Sequence, residues 1–492
     1  MAFTIKLQRF ESKFCLLAWI TVVLYVIYKF TISSQSYFHS YHDQYGDFTE
    51  GWAFLNFPNR DIADFEWQNI KYFITAIYPI ILIYLGLSEA GRYLAINNIQ
   101  FHQYFQIASP VLFLTYSMGY RVTLLALLQP AIFRISIVNR NTICTWILNI
   151  LSLALIALYK KMCSQEAFLK YMGLNAFEAY MHILMLCWMN LKCTSYALNH
   201  TPKRLEEYLS YCFYLPTLFT GPFIDYEDFM KVHMRKPGTF NLRMKKLMLN
   251  ILRCLFWMLF SEFWLHFIYV NATSFQLGFV KSLDLSSLCG YGYSMGQFFH
   301  IKYVVLYGLT TSVASFEDIN VPTFPRCIGR IHLYSDMWKY FDPGLYKFLK
   351  TCIFIPAQKL GLAKLGASFL CFAFVFIWHG TEEYIFVWAL LNFTGIVLEN
   401  LASNWYKRTL SSWYWKKLCP SSPRRTKCLL SAPLLAMSAL SNFYFFAGKD
   451  VGDIFLYTIL NESVFKKAFI VAALYFCCEV STAFRDINAH AP

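Results

Sequence analysis

Charge is scarce in this sequence. Asp, Glu, Lys and Arg make up 15% of its 492 residues, against about 25% in a soluble domain. Too little polar surface remains to keep a body of this size in water, and a hydrophobic fraction of 57% and a mean hydropathy of +0.40 agree. Other absences narrow the chemistry. No Gly-rich phosphate loop occurs, and no cluster has metal-ligand spacing. The 15 cysteines show no CxxC pair, and most lie inside apolar runs, as Cys15, Cys187 and Cys371 do. There a thiol reads first as a small hydrophobe. There is no internal repeat and no low-complexity tract.

Apolar windows fill the space instead. "FCLLAWITVVLYVIY" (Phe14 to Tyr28), "YFITAIYPIILIYLGL" (Tyr72 to Leu87), "ICTWILNILSLALIALY" (Ile143 to Tyr159) and "FLCFAFVFIW" (Phe369 to Trp378) recur along the chain. Roughly 20 apolar residues span a bilayer. The expected fold is an all-α, polytopic integral membrane protein forming a single domain over residues 1–492. About ten to twelve membrane segments are expected, some between Phe101 and Leu198 re-entrant. The first window carries a basic flank (Lys6, Arg9, Lys13) but no small-residue cleavage site, so it reads as a retained first helix.

Acids and bases are segregated. Residues 33–69 hold six acids (Asp43, Asp47, Glu50, Asp61, Asp64, Glu66) and one base, Arg60. Residues 401–429 hold seven bases (Lys407, Arg408, Lys416, Lys417, Arg424, Arg425, Lys427) and no acid. Basic loops stay cytosolic. The expectation is a cytosolic N-terminus, a luminal 33–69 loop and a cytosolic 401–429 loop. A net charge of +14 is then a matter of topology, and no nucleic-acid partner is implied.

Two stretches interrupt the apolar pattern. "FIWHGTEEY" (Phe376 to Tyr384) puts His379 at the luminal end of a span, just before a glycine. It reads either as an interfacial histidine in a Trp/Tyr belt or as a functional ionisable group, because such groups are costly within spans. "PRCIGRIHLYSDMWKYFDPGLYKFLK" (Pro325 to Lys350) is polar between apolar runs. Trp338 and Asp342 share a helical face if the helix continues. Asp342 before Pro343 also reads as an N-cap with Pro at the first helical position.

Together, "RCIGRIHLYSDMWKYFDPGLYKFL" and "FAFVFIWHG" resemble the membrane-bound O-acyltransferase family, more narrowly the insect members of the branch that acylates secreted hedgehog-type ligands. "EGWAFLNFPNRD" (Glu50 to Asp61), "YLPTLFTGPFIDYEDF" (Tyr214 to Phe229), "GYSMGQFFHIKYVVLYG" (Gly292 to Gly308) and "LSNFYFFAGKDVG" (Leu440 to Gly452) extend the likeness over most of the chain.

The resemblance implies a catalytic His379 and an upstream catalytic Asp342, where many hydroxyl-acylating relatives carry Asn. It implies that Trp338 lines the acyl-chain tunnel and that Asn442 lies near the thioester. It makes Cys327 a candidate ligand of haem b, set against a plain buried thiol. The implied reaction moves palmitate from palmitoyl-CoA to the N-terminal cysteine amine of a secreted hedgehog-type, or EGF-type, ligand in the endoplasmic reticulum or Golgi membrane. The rival readings are O-acylation of a serine on another secreted ligand, a proton-coupled transporter and a non-catalytic membrane regulator. Bases among Lys231, Arg235, Lys236, Arg243, Lys245 and Lys246 are candidates for the CoA phosphates, though topology explains them equally well.

Overall fold

The computed structural model describes all residues except 1, 40–45, 56, 95–98, 200–203, 231–238, 410–421 and 490–492. The helices begin with α1 (Ala2–His39), α2 (Phe65–Leu94), α3 (Ile99–Met118), α4 (Tyr120–Asn139), α5 (Thr142–Cys163), α6 (Glu166–Met172) and α7 (Ala176–Asn199). They continue with α8 (Leu205–Cys212), α9 (Tyr226–Met230), α10 (Phe240–Trp264), α11 (Val270–Ser274), α12 (Leu277–Ser282) and α13 (Leu285–Phe316). The last are α14 (Tyr334–Phe341), α15 (Pro343–Phe348), α16 (Ile355–Lys359), α17 (Lys364–His379), α18 (Glu383–Thr409), α19 (Ser422–Asn461) and α20 (Val464–Ala489). A turn of π-helix, Leu349–Phe354, links α15 to α16. The helix α19 is kinked at Gly448, where φ is 82°.

Eight of these helices are long and apolar enough to cross a bilayer: α1, α2, α4, α5, α10, α18, α19 and α20. The helix α17 is apolar but shorter. Three more are long enough yet fail on hydropathy: α3, α7 and α13. For α7 and α13 the reason lies in their position. In α7 every residue from Trp188 to Tyr196 is buried, and most of α13 is buried as well. Shielded by other helices, α7 and α13 meet protein rather than lipid and carry polar groups such as Lys192, His300 and Lys302, whereas α3 is polar at its start and keeps an exposed face. Helices buried on all sides form the interior of the bundle. Together with α17 they bring the long elements within the expected ten to twelve.

The element α13 is the central post, with α1 and α10 packed along it and α19 behind. Asp284 starts it by accepting the Ser287 N–H at 2.8 Å. At one end, a two-stranded antiparallel hairpin pairs Phe48–Glu50 with Asn59–Asp61. Asp61 fastens it to the start of α11 by accepting the N–H groups of Asn271 (2.7 Å) and Ala272 (3.2 Å). The helices α1 and α2 run into both ends of the acidic 33–69 stretch, so the connection between them is 40–64. Of the basic 401–429 stretch, α18 and α19 take both ends, and the piece between, 410–421, lies outside the described residues.

Candidate active site

The sequence pair at Asp342–Pro343 behaves as its residues dictate. Pro343 opens α15, and Asp342 caps it by accepting the Leu345 N–H on Oδ1 at 2.9 Å. The carboxylate has a second role. Its Oδ2 accepts the Tyr307 hydroxyl at 3.0 Å. Tyr307 is buried on α13, so the cap of one helix is tied to the central post. Gly344 lets the turn press against Phe223, whose carbonyl oxygen lies 2.3 Å from where a Cβ would stand. That contact brings the Gly221–Pro222 segment beneath the site. Gly221 has φ +66°, and a Cβ there would meet the Trp188 ring at 2.5 Å. Thr310 Oγ1 donates to the Gly221 carbonyl at 2.8 Å.

His379 is the last residue of α17. Gly380 follows with φ 137°, a conformation that L side chains rarely adopt, and its N–H closes the helix onto the Phe376 carbonyl at 3.1 Å. The imidazole is half-buried and boxed by rings. Its centroid lies 4.8 Å from Trp378, 5.3 Å from Phe445 and 5.4 Å from Trp388. Among the described residues, no hydrogen bond is made by the ring. Asp342 therefore does not orient it, and both ring nitrogens are free for a substrate.

His379, Asp342, Trp338 and Asn442 all line one cavity of about 920 Å³, overwhelmingly apolar. Its volume is that of a small-molecule site. Trp338 packs edge-on against Phe372 (5.0 Å) and tilted over Trp388 (5.6 Å). Asn442 accepts the Trp388 indole N–H on Oδ1 at 3.3 Å. The cavity wall also includes Tyr303, Tyr307 and Glu66. Glu66 accepts the Tyr303 hydroxyl at 3.1 Å and pairs with Lys302 at 2.6 Å. Lys302 also pairs with Asp64 at 3.0 Å. At the cavity edge nearest His379, Lys160 pairs with Glu382 at 3.0 Å. Burial raises the Glu382 carboxyl, but the Lys160 bond and charge outweigh it and hold the group below its usual range.

The structure thus brings four of the five sequence-predicted residues together and leaves the fifth apart. Cys327 is not part of the cavity wall. Its sulfur donates to Gln297 Oε1 at 3.7 Å. Next to it, a Cβ on Gly329 would meet Gln297 Nε2 at 3.1 Å, Tyr293 Oη at 3.2 Å and the Cys327 sulfur at 3.8 Å. Gln297 and Tyr293 thus crowd the Gly329 side of the thiol. Haem binding through Cys327 is not supported. Among the described residues no group of three or more His, Cys, Asp or Glu side chains could hold a metal ion.

Of the bases considered for CoA phosphates, Lys231, Arg235 and Lys236 lie outside the described residues. Arg243 is not available: its guanidinium is buried, bonded to both Glu89 oxygens and to the Phe316 carbonyl (2.8 Å), with Asp318 at 3.6 Å. Lys245 and Lys246 stand on the same helix. Sequence reasoning missed Tyr307, Trp388 and Tyr303. All three are aromatic residues among many in apolar helices, and only their partners across the cavity single them out.

Comparison with known proteins adds the chain's relatives. The chain is 30% identical over 456 residues to the Drosophila melanogaster protein-cysteine N-palmitoyltransferase Rasp, covering 89% of this chain and 87% of that protein. It is 30% identical over 254 residues to the Mus musculus protein-cysteine N-palmitoyltransferase HHAT, half of each chain. The mouse HHAT-like protein is 24% identical over 393 residues, 78% of this chain and 76% of that protein. The pattern of the membrane-bound O-acyltransferase family is matched over residues 17–440. The chain belongs to that family.

Proposed function

We propose that this enzyme transfers palmitate from palmitoyl-CoA to the α-amine of an N-terminal cysteine on a secreted, hedgehog-type ligand. The observation that carries this reading is the meeting of His379, Asp342, Trp338 and Asn442 on one apolar cavity inside the helix bundle. The names of its relatives, both protein-cysteine N-palmitoyltransferases, support the same acceptor. The setting is the endoplasmic reticulum or Golgi membrane, with the N-terminus cytosolic. The donor then arrives from the cytosol and the acceptor from the lumen, and a cavity within the bundle gives them a place to meet.

An α-amine titrates near 7.7–8.0, so a fraction is already nucleophilic at neutral pH. Its nitrogen attacks the thioester carbonyl, a C–N bond forms, and the carbonyl oxygen becomes an oxyanion. His379 takes the proton that the nitrogen sheds, a step that a positioned base accelerates about 10²–10⁴-fold. The intermediate collapses, the C–S bond breaks, and the proton passes to the departing CoA thiolate. Asp342, with both oxygens already engaged by Leu345 and Tyr307, presents a fixed negative face to the cavity. It holds the incoming ammonium until solvent takes its first proton and frees the amine to attack; the proton that His379 takes is shed afterwards. Trp338 and the surrounding rings receive the acyl chain, and Asn442 faces the thioester.

The test is turnover by the purified enzyme of palmitoyl-CoA with a peptide that begins in cysteine. The product should be an amide that survives neutral hydroxylamine. Acetylating the peptide's amine should abolish it. Stable palmitate on the acetylated peptide, or transfer to a serine hydroxyl in preference to the amine, would overturn the reading.

A further inference from the structure

The amide of Asn442 can face the cavity in two ways, and they have opposite chemical consequences. With Nδ2 inward, it donates to the oxygen of the thioester. With Oδ1 inward, it repels the negative charge that develops on that oxygen. Oxygen and nitrogen of an amide are told apart by their partners, and here one partner decides. The Trp388 indole carries only an N–H and can only donate. It lies 3.3 Å from the Asn442 side chain. Oδ1 is therefore the atom turned toward Trp388, and Nδ2 is left for the cavity.

Trp388 is itself held firmly. It is buried on α18, and its carbonyl accepts the Asn392 amide N–H at 2.8 Å. The same Asn392 Nδ2 reaches Ser441 Oγ at 3.3 Å, next to Asn442 on α19. A second hydrogen bond between α18 and α19 thus stands beside the Trp388–Asn442 bond. The indole also touches the other reacting partner: it stands at 86° to the His379 ring with centroids 5.4 Å apart, while Phe445 packs against both.

We infer that Trp388 is a positioning residue for acyl transfer, which locks the Asn442 amide with its N–H group toward the thioester oxygen so that it stabilises the oxyanion. This rests on the reading of Asn442 as the thioester-facing residue. Fixed donors aimed at a developing oxyanion act chiefly on kcat, and removing one costs about 10²–10³-fold. Freeing the amide to rotate forfeits part of that factor.

The experiment uses the full-length purified enzyme with palmitoyl-CoA and an N-terminal-cysteine peptide, and compares Trp388→Phe, Asn442→Ala, Asn442→Asp and the Trp388→Phe/Asn442→Ala pair. Asn442→Ala should lower kcat by about 10²-fold. Trp388→Phe keeps a ring beside His379 and loses the N–H together with part of the ring surface. It should lower kcat about tenfold, with both KM values nearly unchanged. Residues that act as one unit are non-additive, so the pair should be no slower than Asn442→Ala alone. Asn442→Asp still accepts the indole N–H but has none to offer the cavity. It should be as slow as Asn442→Ala, and it supplies the answer if Trp388→Phe does not fold.

Undiminished kcat in Trp388→Phe would overturn the inference, as would a full further loss in the pair, since Trp388 would then act on something other than Asn442. An active Asn442→Asp would show that no N–H is used. Normal kcat in Asn442→Ala would sink the thioester-facing assignment itself while leaving His379 and the acyl-transfer reading standing.

Discussion

Tyr307 donates its hydroxyl to Asp342 Oδ2 at 3.0 Å, while the other carboxylate oxygen caps α15. The helix cap and the proposed chemistry fall on one side chain, and they can be separated. Asn caps a helix about as well as Asp, so Asp342→Asn should keep its thermal stability and lose turnover. Tyr307→Phe deletes one hydrogen bond, a net loss of about 0.5–1.5 kcal/mol, and should slow turnover less than Asp342→Asn does. Parallel collapse of expression and melting temperature in Asp342→Asn would make the residue structural only.

His379→Ala should fold and bind palmitoyl-CoA, because the ring makes no hydrogen bond to any described residue. Its turnover should fall about 10²–10⁴-fold. Near-normal turnover would return His379 to the role of an interfacial histidine.

The pairing of Lys160 with Glu382 gives a pH signature. The Glu382 carboxyl is held below its ordinary value of 4.5. Its contribution to stability is present above pH 4.5 and is lost as pH falls through the lower, folded-state value. Both side chains are about half exposed, so the contribution is at most about 1 kcal/mol. Melting curves of the wild type and Glu382→Gln should differ by a constant small amount at neutral pH and converge on acidification. A difference that grows toward low pH would contradict the pairing.

Gly221→Ala puts a methyl group into the Trp188 ring at a backbone angle unfavourable for alanine. The expected cost is about 1–3 kcal/mol. Trp188 packs on Trp378 (5.4 Å) and Tyr307 (6.3 Å), so turnover should fall as well. Unchanged melting and turnover would mean the Gly-Pro segment tolerates displacement from the cavity.

Orientation can be read by tagging. A tag at Ser421 should be protease-accessible in sealed microsomes and one at Gln44 protected. The opposite pattern would place His379 on the donor's side of the membrane.

What the sequence revealed followed from chemistry that is local in the chain. Asp342 announced itself through Pro343, and His379 through a titratable ring at the end of an apolar run. Tyr307 and Trp388 gave no such sign, because an aromatic residue in an apolar helix is ordinary packing until a carboxylate or an amide is found opposite it. Hydropathy marked the helices that meet lipid and passed over α13, which meets other helices instead. Cys327 was the converse case: a plausible ligand by resemblance that is not in the cavity wall, although its neighbour Ile328 is.

The polar middle of α13 bears on how the protein is made. A lysine at the centre of a membrane helix costs about 2.5–3.5 kcal/mol at insertion, and Lys302 stands mid-helix beside His300. Its counter-charges, Asp64 and Glu66, belong to the start of α2 and leave the ribosome more than two hundred residues earlier. The central post thus carries a charge that hinders its entry into the bilayer, and its acidic docking partners are synthesised ahead of it. Assembly of this bundle has a built-in order: the second span must be seated before the thirteenth helix can settle against it.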